Sequence, residues 1–284
     1  MHIALIIAPY DTARRGWRAG NGPEHLLRQG LLQHLEQQGH HVASTQFIED
    51  CLDAPPAEIR TAFELMRGVA SAARQVRTAG HFPIVLSGNC NVGAVGLLSA
   101  LTPHPRSIFW FDAHGEANTP ATTASGFLDG MGLSILLGMA WQTLAASVPG
   151  FAQVAPDTTF LLGARDLDPP EGQVLSASRV THLTVPQVRT ALFTHLDRAP
   201  LRDTLGYVHL DLDVLDPETG GQATSYPVPD GLSVSDLLDA IRLIRSRVKL
   251  GGVTLASYAP EYARNDQPQR AAFAALAACL ANGA

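Results

Sequence analysis

Short apolar runs alternate with helix-length segments along the chain, and this alternation restricts the possible folds more than any other feature. The runs lie at residues 3–8, 41–45, 83–86, 107–111, 158–162, 180–183, 207–212 and 252–257. Continuous apolar runs of this length are typical of strands that are buried on both faces. Their alternation with helical segments predicts βαβ units, and therefore an α/β fold in which helices cover both faces of a mostly parallel sheet.

Two of the predicted helices are long. Apolar residues at helical spacing predict one helix over residues 23–35, with Pro23 in its first turn. A second helix is predicted over residues 56–79, ending at Gly80. Because no linker or repeat divides the chain, we expect a single domain over residues 1–284.

Composition excludes several classes of function. The net charge of −6 leaves no basic surface for nucleic acid or an anionic membrane, so we expect neither partner. The longest apolar run, residues 271–281, is about half of the ~20 residues that a membrane span needs. No basic region followed by a cleavage site is found near the N-terminus, which predicts no signal peptide.

The cysteines are sparse and odd in number. Cys51, Cys90 and Cys279 do not form the pattern of a disulfide framework, and this predicts a reducing, cytoplasmic location. Cys51 and Cys279 are interpreted as small buried apolar residues. Cys90 differs because it lies in a polar turn, residues 87–91, directly after an apolar run.

Unusual polar residues follow four of the apolar runs. Ligands of such folds bind outside the carboxyl ends of the strands, so these segments should meet at one site. They are Ser-Gly-Asn-Cys-Asn at 87–91, Asp-Ala-His-Gly-Glu-Ala-Asn at 112–118, Gly-Ala-Arg-Asp-Leu-Asp-Pro at 163–169, and Asp-Leu-Asp-Val-Leu-Asp-Pro at 211–217.

Two of these segments have the spacing of metal ligands. Asp112, His114 and Glu116 alternate, and Asp211 and Asp213 do the same, so each set projects to one side of an extended chain. Buried carboxylates at one sheet edge need a cation, and this donor set favours Mn²⁺ over a structural zinc. The number of carboxylates suggests two ions that activate a water between them. Either motif alone is also common in turns that bind no metal.

Together these segments resemble the ureohydrolase family, which includes arginase and agmatinase. The resemblance implies a three-layer αβα fold with a central eight-stranded parallel sheet and a binuclear manganese site, with zinc as the second choice of metal. It also implies ligand roles: Asp112 and Asp211 bridge the ions, His114 and Asp213 complete one site, and Cys90 and Glu116 complete the other. Cys90 stands where the family normally has His, and Glu116 stands where it normally has Asp.

A second part of the resemblance concerns an α-amino acid substrate. In arginases an Asn, a Thr and a Ser hold the substrate's carboxylate, and Asn118, Thr123 and Ser125 match them. Asp168 matches an Asp that binds the α-amino group, and Glu171 belongs to the same segment. These matches argue against agmatine, which has no carboxylate. The same polar residues could instead only satisfy backbone groups of a turn-rich loop.

Two departures from the family bear on the reaction. Asp129 stands where arginases place a proton-shuttling His, and Ser257 stands where the family has a Glu that pairs with the guanidinium. Glu261 lies close in sequence to this missing Glu. An N-hydroxyguanidine needs less charge pairing and less proton assistance, because its hydroxyl lowers the basicity of the group.

The chain therefore looks most like the branch of the family that hydrolyses Nω-hydroxy-L-arginine to hydroxyurea and L-ornithine in D-cycloserine biosynthesis. The resemblance implies attack by a metal-bridging hydroxide, with Asp213 as proton acceptor and Asp129 assisting proton transfer. Two alternatives stay open: an arginase or another guanidino or formimino acid hydrolase, and a degenerate member without catalysis. We expect a small guanidino amino acid as ligand, and a monomer or homo-oligomer. His209, two residues before Asp211, is interpreted as a core histidine with satisfied hydrogen bonds, and the alternative is a residue that supports the metal ligands from behind.

Overall fold

The computed structural model describes residues 1–50 and 57–281. The predictions for Cys51 and for the start of a helix at Pro56 lie outside the described residues. From Glu58 the second predicted helix is present and runs to Thr78.

Eight of the strands form one parallel sheet. The strands of the described residues are β1 His2–Ala8, β2 Tyr10–Asp11, β3 Arg14–Arg15, β4 His41–Phe47, β5 Phe82–Ser87, β6 Arg106–Phe111, β7 Thr159–Leu162, β8 Thr181–Leu183, β9 Leu205–Asp211 and β10 Lys249–Ala256. The sheet order is β4-β1-β5-β10-β9-β6-β7-β8, and β2 and β3 form a separate small hairpin. Each of the eight predicted strands is confirmed; continuous apolar runs identify the central strands, which are buried on both sides, whereas the edge strand β4 is mostly exposed.

The helices within the described residues are α1 Gly22–Arg28, α2 Leu31–Gln37, α3 Glu58–Thr78, α4 Cys90–Ala100, α5 Gly132–Leu136, α6 Gln142–Ala145, α7 Pro169–Ala177, α8 Val185–Arg198, α9 Val234–Arg245 and α10 Gln267–Leu280. The prediction of one helix over residues 23–35 is wrong. The chain breaks between α1 and α2 because Gly30 adopts a φ of 90°, a left-handed conformation that ends the first helix.

Both faces of the central strands of the sheet are buried. On β1, Ala4, Ile6 and Ala8 pack into the core on the side of α3 and α4. The alternate residues Ile3 and Ile7 project from the other face of the sheet and pack into a second core with α9 and α10. This confirms the predicted α/β fold with helices on both faces of a central eight-stranded sheet.

The sheet order brings four strand ends to one place. Strands β5, β10, β9 and β6 are adjacent, and all four are parallel. Their registers align Ala256 with Asp211 and Phe111 with Leu210, so the strands end at nearly the same height. The segments that follow β5, β6, β9 and β10 therefore converge at one edge, as expected for a ligand site of a parallel sheet.

No helix among residues 1–50 and 57–281 has both the length and the apolar character that crossing a bilayer requires.

Candidate metal centre and substrate cavity

The end of β9 carries two buried aspartates in fixed orientations. Asp211 Oδ1 accepts a hydrogen bond from the backbone N–H of Asp213 at 2.9 Å. Asp213 Oδ1 accepts from the N–H of Ala113 at 3.0 Å, and its Oδ2 lies 3.2 Å from His114 Nδ1. The second aspartate thereby joins the end of β9 to the segment after β6.

Asp112 is held equally firmly at the end of β6. Its Oδ2 accepts from Trp110 Nε1 at 2.9 Å, and its Oδ1 accepts from the N–H of His114 at 2.8 Å. His114 Nδ1 lies 3.4 Å from the same Oδ1. Such bonds orient a carboxylate that is to bind a metal.

Glu116 has two features that indicate a functional position. Its φ of 55° lies in the left-handed region, which is unfavourable for a residue with a side chain. Its Oε2 atom is buried and has no hydrogen-bond partner among the described residues. A buried carboxylate oxygen without a donor is costly, and a cation would satisfy it.

Cys90 is the first residue of α4 and is buried beneath the carboxylates. Its thiol donates to Asp211 Oδ2 at 3.0 Å. The Cys90 Sγ also lies 3.3 Å from Ser257 Oγ, at the end of β10. Ser257, like Glu116, has a positive φ, of 58°.

The six residues predicted as ligands all meet at this edge of the sheet. Ligand atoms of Asp112, His114 and Asp213 lie within 4.8 Å of one another, and so do those of Cys90, Glu116 and Asp129. Asp129 was not predicted as a ligand. Its position in this second group gives that group one more carboxylate than the sequence suggested.

The electrostatics of the centre also fit a divalent cation. Burial, and then repulsion by neighbouring carboxylates, raise the pKa of Cys90, Glu116 and Asp211 well above their ordinary values. Burial alone would lower the pKa of His114, but the neighbouring charge of Asp213 outweighs burial and raises it. Burial alone would raise the pKa of Asp213, but the charge of His114 outweighs burial and lowers it. A divalent ion removes the repulsion among such groups. The residues present therefore fit a metal centre.

Asp129 opens the short 3-10 turn Asp129–Met131 and faces the centre. Its Oδ2 accepts from Asn89 Nδ2 at 2.7 Å, and its Oδ1 accepts from the N–H of Asn91 at 2.9 Å. Burial raises the pKa of Asp129 to about 7, although these hydrogen bonds oppose the rise.

Two connected cavities open above the centre. The inner cavity is lined by Asp129, Asp211, Asp213 and Ser257, and the outer cavity by Asn118, Ser125, Asp168 and Glu171. His114 and Glu116 line both. The outer cavity has a volume of ≈ 480 Å³, within the ~300–1,000 Å³ usual for small-molecule sites.

Four of the five residues predicted to bind substrate line the outer cavity, and Thr123 does not. Asn118 Nδ2 donates to Asp168 Oδ2 at 3.0 Å, so these two side chains form one polar wall. Glu171 accepts from the N–H of Ala117 at 2.8 Å and of Asp168 at 3.3 Å, so it holds both wall segments together. Thr123 is not a lining residue; its Oγ1 lies 3.4 Å from Ser125 Oγ and accepts from the N–H of Gly126.

Several cavity residues were missed by the sequence analysis. Arg18 and Tyr226 line both cavities, and the guanidinium of Arg18 lies 5.3 Å from the ring centroid of Tyr226. Arg18 Nε also lies 3.5 Å from Asp11 Oδ2. These residues come from segments far apart in sequence, and no local pattern marks them. Asn89 was noted only as part of a polar turn, and its bond to Asp129 was not foreseen.

Glu261, the sequence neighbour of the missing glutamate, is exposed and lines neither cavity. The position after β10 is therefore filled by the Ser257 hydroxyl.

Comparisons with known proteins agree with this fold. The model of the arginase family matches residues 1–281. The hepatic arginase of Aquarana catesbeiana is 29% identical over 250 residues, covering 81% of this chain and 76% of its own. The arginase of Bacillus subtilis is 30% identical over 256 residues, covering 81% of each chain. The crystal structure of arginase from Bacillus cereus superposes with a TM-score of 0.86 at 23% identity, over 100% of this chain and 99% of that one. The chain belongs to the arginase family.

Proposed function

We propose that this chain is a metal-dependent hydrolase that converts Nω-hydroxy-L-arginine and water to hydroxyurea and L-ornithine. The observation that carries the proposal is the environment of Ser257. Its hydroxyl lines the inner cavity 3.3 Å from Cys90 Sγ, at the strand end where the family resemblance implies a guanidinium-binding glutamate. A neutral hydroxyl suits a guanidino group that is itself neutral.

The hydroxyl of the substrate supplies that neutrality. An N-hydroxyguanidine is less basic than a guanidine, so its uncharged form is accessible near neutral pH. Transfer of an unpaired cation into a buried site is strongly unfavourable, whereas a neutral group can be accommodated by hydrogen bonds. The site is therefore better matched to the hydroxylated substrate than to L-arginine.

The outer cavity supports an α-amino acid. The Asp168 carboxylate can pair with an α-ammonium group, and the Asn118 amide and Ser125 hydroxyl are neutral donors for an α-carboxylate. This polar wall is continuous with the inner cavity through His114 and Glu116. A substrate with an amino acid at one end and a guanidino carbon at the other would span both cavities.

The ligands proposed for two divalent ions are Cys90, Asp112, His114, Glu116, Asp211 and Asp213, of which the carboxylates favour Mn²⁺. Bound there, such ions supply Lewis acidity, which lowers the pKa of water and polarises the substrate. The thiolate of Cys90 adds negative charge and weakens that acidity. This again favours a substrate whose guanidino carbon is attacked in an uncharged group, because the ornithine nitrogen is the leaving atom of both candidate substrates.

Two aspartates of the chain are proposed to transfer the protons of the reaction. Asp213, whose two oxygens are oriented by Ala113 and His114, accepts a proton from the attacking water. The new bond joins the water oxygen to the guanidino carbon, and the bond from that carbon to the ornithine nitrogen breaks. Asp129, fixed by Asn89 and Asn91 at the wall of the inner cavity, is assigned to proton transfer to the leaving nitrogen. In the branch that the chain resembles, this reaction serves D-cycloserine biosynthesis, and we extend that role to this chain.

L-Arginine is the second candidate substrate, because the relatives from Aquarana catesbeiana and Bacillus subtilis are both named arginase. The outer cavity would bind the amino acid end of either substrate, so discrimination between the two candidates would depend on the inner cavity.

Ornithine release by manganese-loaded protein tests the proposal, with L-arginine and Nω-hydroxy-L-arginine compared side by side. Turnover of the hydroxylated substrate with little or none of arginine supports it. Equal or faster turnover of arginine overturns it. Inactivity on both with metal bound would point to another guanidino or formimino acid, and inactivity without metal binding to a non-catalytic member.

A further inference from the structure

His209 lies one layer beneath the metal centre. It precedes Asp211 by two residues on β9 and therefore projects from the same face of the sheet. The side chain is fully buried, and its ring stacks on Trp110 with 3.9 Å between centroids. The interpretation of His209 as a satisfied core histidine is wrong in one respect: Nδ1 lies 3.0 Å from Tyr207 Oη, but Nε2 has no partner among the described residues.

A nitrogen of the His209 ring belongs to a compact group of metal-binding atoms. A ring nitrogen of His209, the Cys90 Sγ and a carboxylate oxygen of Asp112 all lie within 4.8 Å of one another. Zinc bonds are roughly 2.3 Å to sulfur and 2.0–2.1 Å to nitrogen, so two such ligands of one ion lie at most ~4.4 Å apart. The group thus needs little adjustment to bind one ion.

We infer that His209 Nε2 is a ligand of the ion that binds Cys90 and Asp112, and that this position selects Zn²⁺ over Mn²⁺. The inference rests on the proposed function only in placing a metal at this sheet edge; it does not depend on the substrate. It assigns to β9 the imidazole that the resemblance implies at position 90.

The surroundings of His209 suit a ligand. A metal-binding histidine usually donates its second ring N–H to an oxygen, which fixes the tautomer. Tyr207 Oη is placed to accept from Nδ1–H, and this leaves the lone pair of Nε2 free. Thiolate and imidazole together are typical of zinc ligation, whereas manganese prefers carboxylates and water.

A second buried polar atom near Cys90 also lacks a hydrogen-bond partner. Glu116 Oε2 is buried without a donor, and a ligand atom of Glu116 lies within 4.8 Å of one from Cys90. An ion beside Cys90 would satisfy both the orphaned imidazole and the orphaned carboxylate. Without an ion, each buried polar atom would remain desolvated and unpaired, which is unfavourable.

X-ray absorption at the zinc edge tests the inference without substrate. Full-length protein with one equivalent of zinc should show one sulfur at roughly 2.3 Å and an imidazole nitrogen at roughly 2.0–2.1 Å. His114→Asn is the matched control, because His114 is the other imidazole of the centre and its side chain is 32% exposed. The imidazole signal should persist in His114→Asn and disappear in His209→Gln, and the sulfur signal should persist in both.

The zinc dissociation constant provides an independent test of whether His209 is a ligand. His209→Gln should raise the zinc dissociation constant by at least about tenfold, with a smaller change for manganese. Loss of the imidazole signal in His114→Asn but not in His209→Gln would overturn the inference, as would a zinc ion without both sulfur and imidazole. Far-UV circular dichroism of metal-free His209→Gln checks its fold. If that variant does not fold, the native protein and His114→Asn still decide the question. Ornithine release is not measured, so failure here is distinct from failure of the proposed function.

Discussion

The Cys90 Sγ lies 3.0 Å from Asp211 Oδ2, so a thiol and a carboxylate share one side of the candidate metal centre. Both groups are anionic when they bind metal, and two anions at this distance need a cation between them or a proton on one. A histidine at position 90 would bring a neutral ligand instead. The residue at position 90 therefore changes the charge of the centre by one unit.

Replacement of Cys90 by histidine should raise hydrolysis of L-arginine. A neutral ligand leaves the metal a stronger Lewis acid. We expect kcat/KM for arginine to increase on the order of tenfold, equivalent to ~1.4 kcal/mol of barrier. Steady-state ornithine release measures it. Cys279→Ser is the control, because Cys279 is buried in the core formed with α9 and α10, away from the centre. An arginine rate unchanged in Cys90→His would show that charge at this position does not limit the reaction.

Removal of metal should lower the thermal stability of the protein. The carboxylates of Asp112, Glu116 and Asp211 are buried and repel one another, and a cation relieves this repulsion without protonation of the carboxylates. A metal at 100 times its dissociation constant adds ~2.7 kcal/mol, which corresponds to roughly 5–10 °C for a domain of this size. Differential scanning calorimetry with and without chelator measures the shift. In Asp211→Asn, most of the difference in melting temperature between metal-loaded and chelated protein should be lost. A difference as large as that of the native protein would show that the stabilising ion binds elsewhere.

The central strands of the sheet could be predicted because a strand buried on both faces must be apolar throughout, as residues 3–8 are. This reason does not extend to the edge strand β4, which is polar and mostly exposed. Five of the six candidate ligands could be predicted because alternating residues at a strand end project together, and Cys90 because it lies in a polar turn directly after an apolar run. The break at Gly30 could not, since glycine inside a helical pattern is often tolerated. The bond from Asn89 to Asp129, the contact of Ser257 with Cys90 and the unpartnered Nε2 of His209 depend on segments far apart in the chain. Only their packing reveals them.

Neutralisation of Asp168 should weaken binding of the amino acid end of the substrate. Asp168→Asn keeps the side-chain size but removes the partner of the α-ammonium group. We expect KM to rise on the order of tenfold with a smaller change in kcat, because the lost contact is made equally before and during reaction. Asp166→Asn is the matched control, because Asp166 lines the same cavity and is also exposed. Equal effects of the two variants would mean that general charge in the cavity, and not a specific pairing, binds the amino acid.

Acid should destabilise α9 through Asp236. This residue accepts from Ser233 N–H at 3.1 Å and from Arg189 Nε at 2.9 Å, in the first turn of the helix. Partial burial raises its pKa, but the bonds from Ser233 and Arg189 outweigh burial and lower the pKa below its ordinary value of 3.8. Since the folded pKa is depressed, the stabilisation is complete above pH 3.8 and is lost as the pH falls through the folded pKa.

Asp236→Asn should therefore reduce the free energy of unfolding by about 0.5–1 kcal/mol at neutral pH. The difference from the native protein should vanish in strong acid, where both side chains are neutral. Urea unfolding at a series of pH values measures both effects. Asp239→Asn removes an exposed carboxylate of the same helix, whose partner Arg242 lies 2.7 Å away, and such exposed pairs are worth only ~0–1 kcal/mol. A difference for Asp236→Asn that persists unchanged into acid would show that the lost stability arises from packing and not from the charge of this carboxylate.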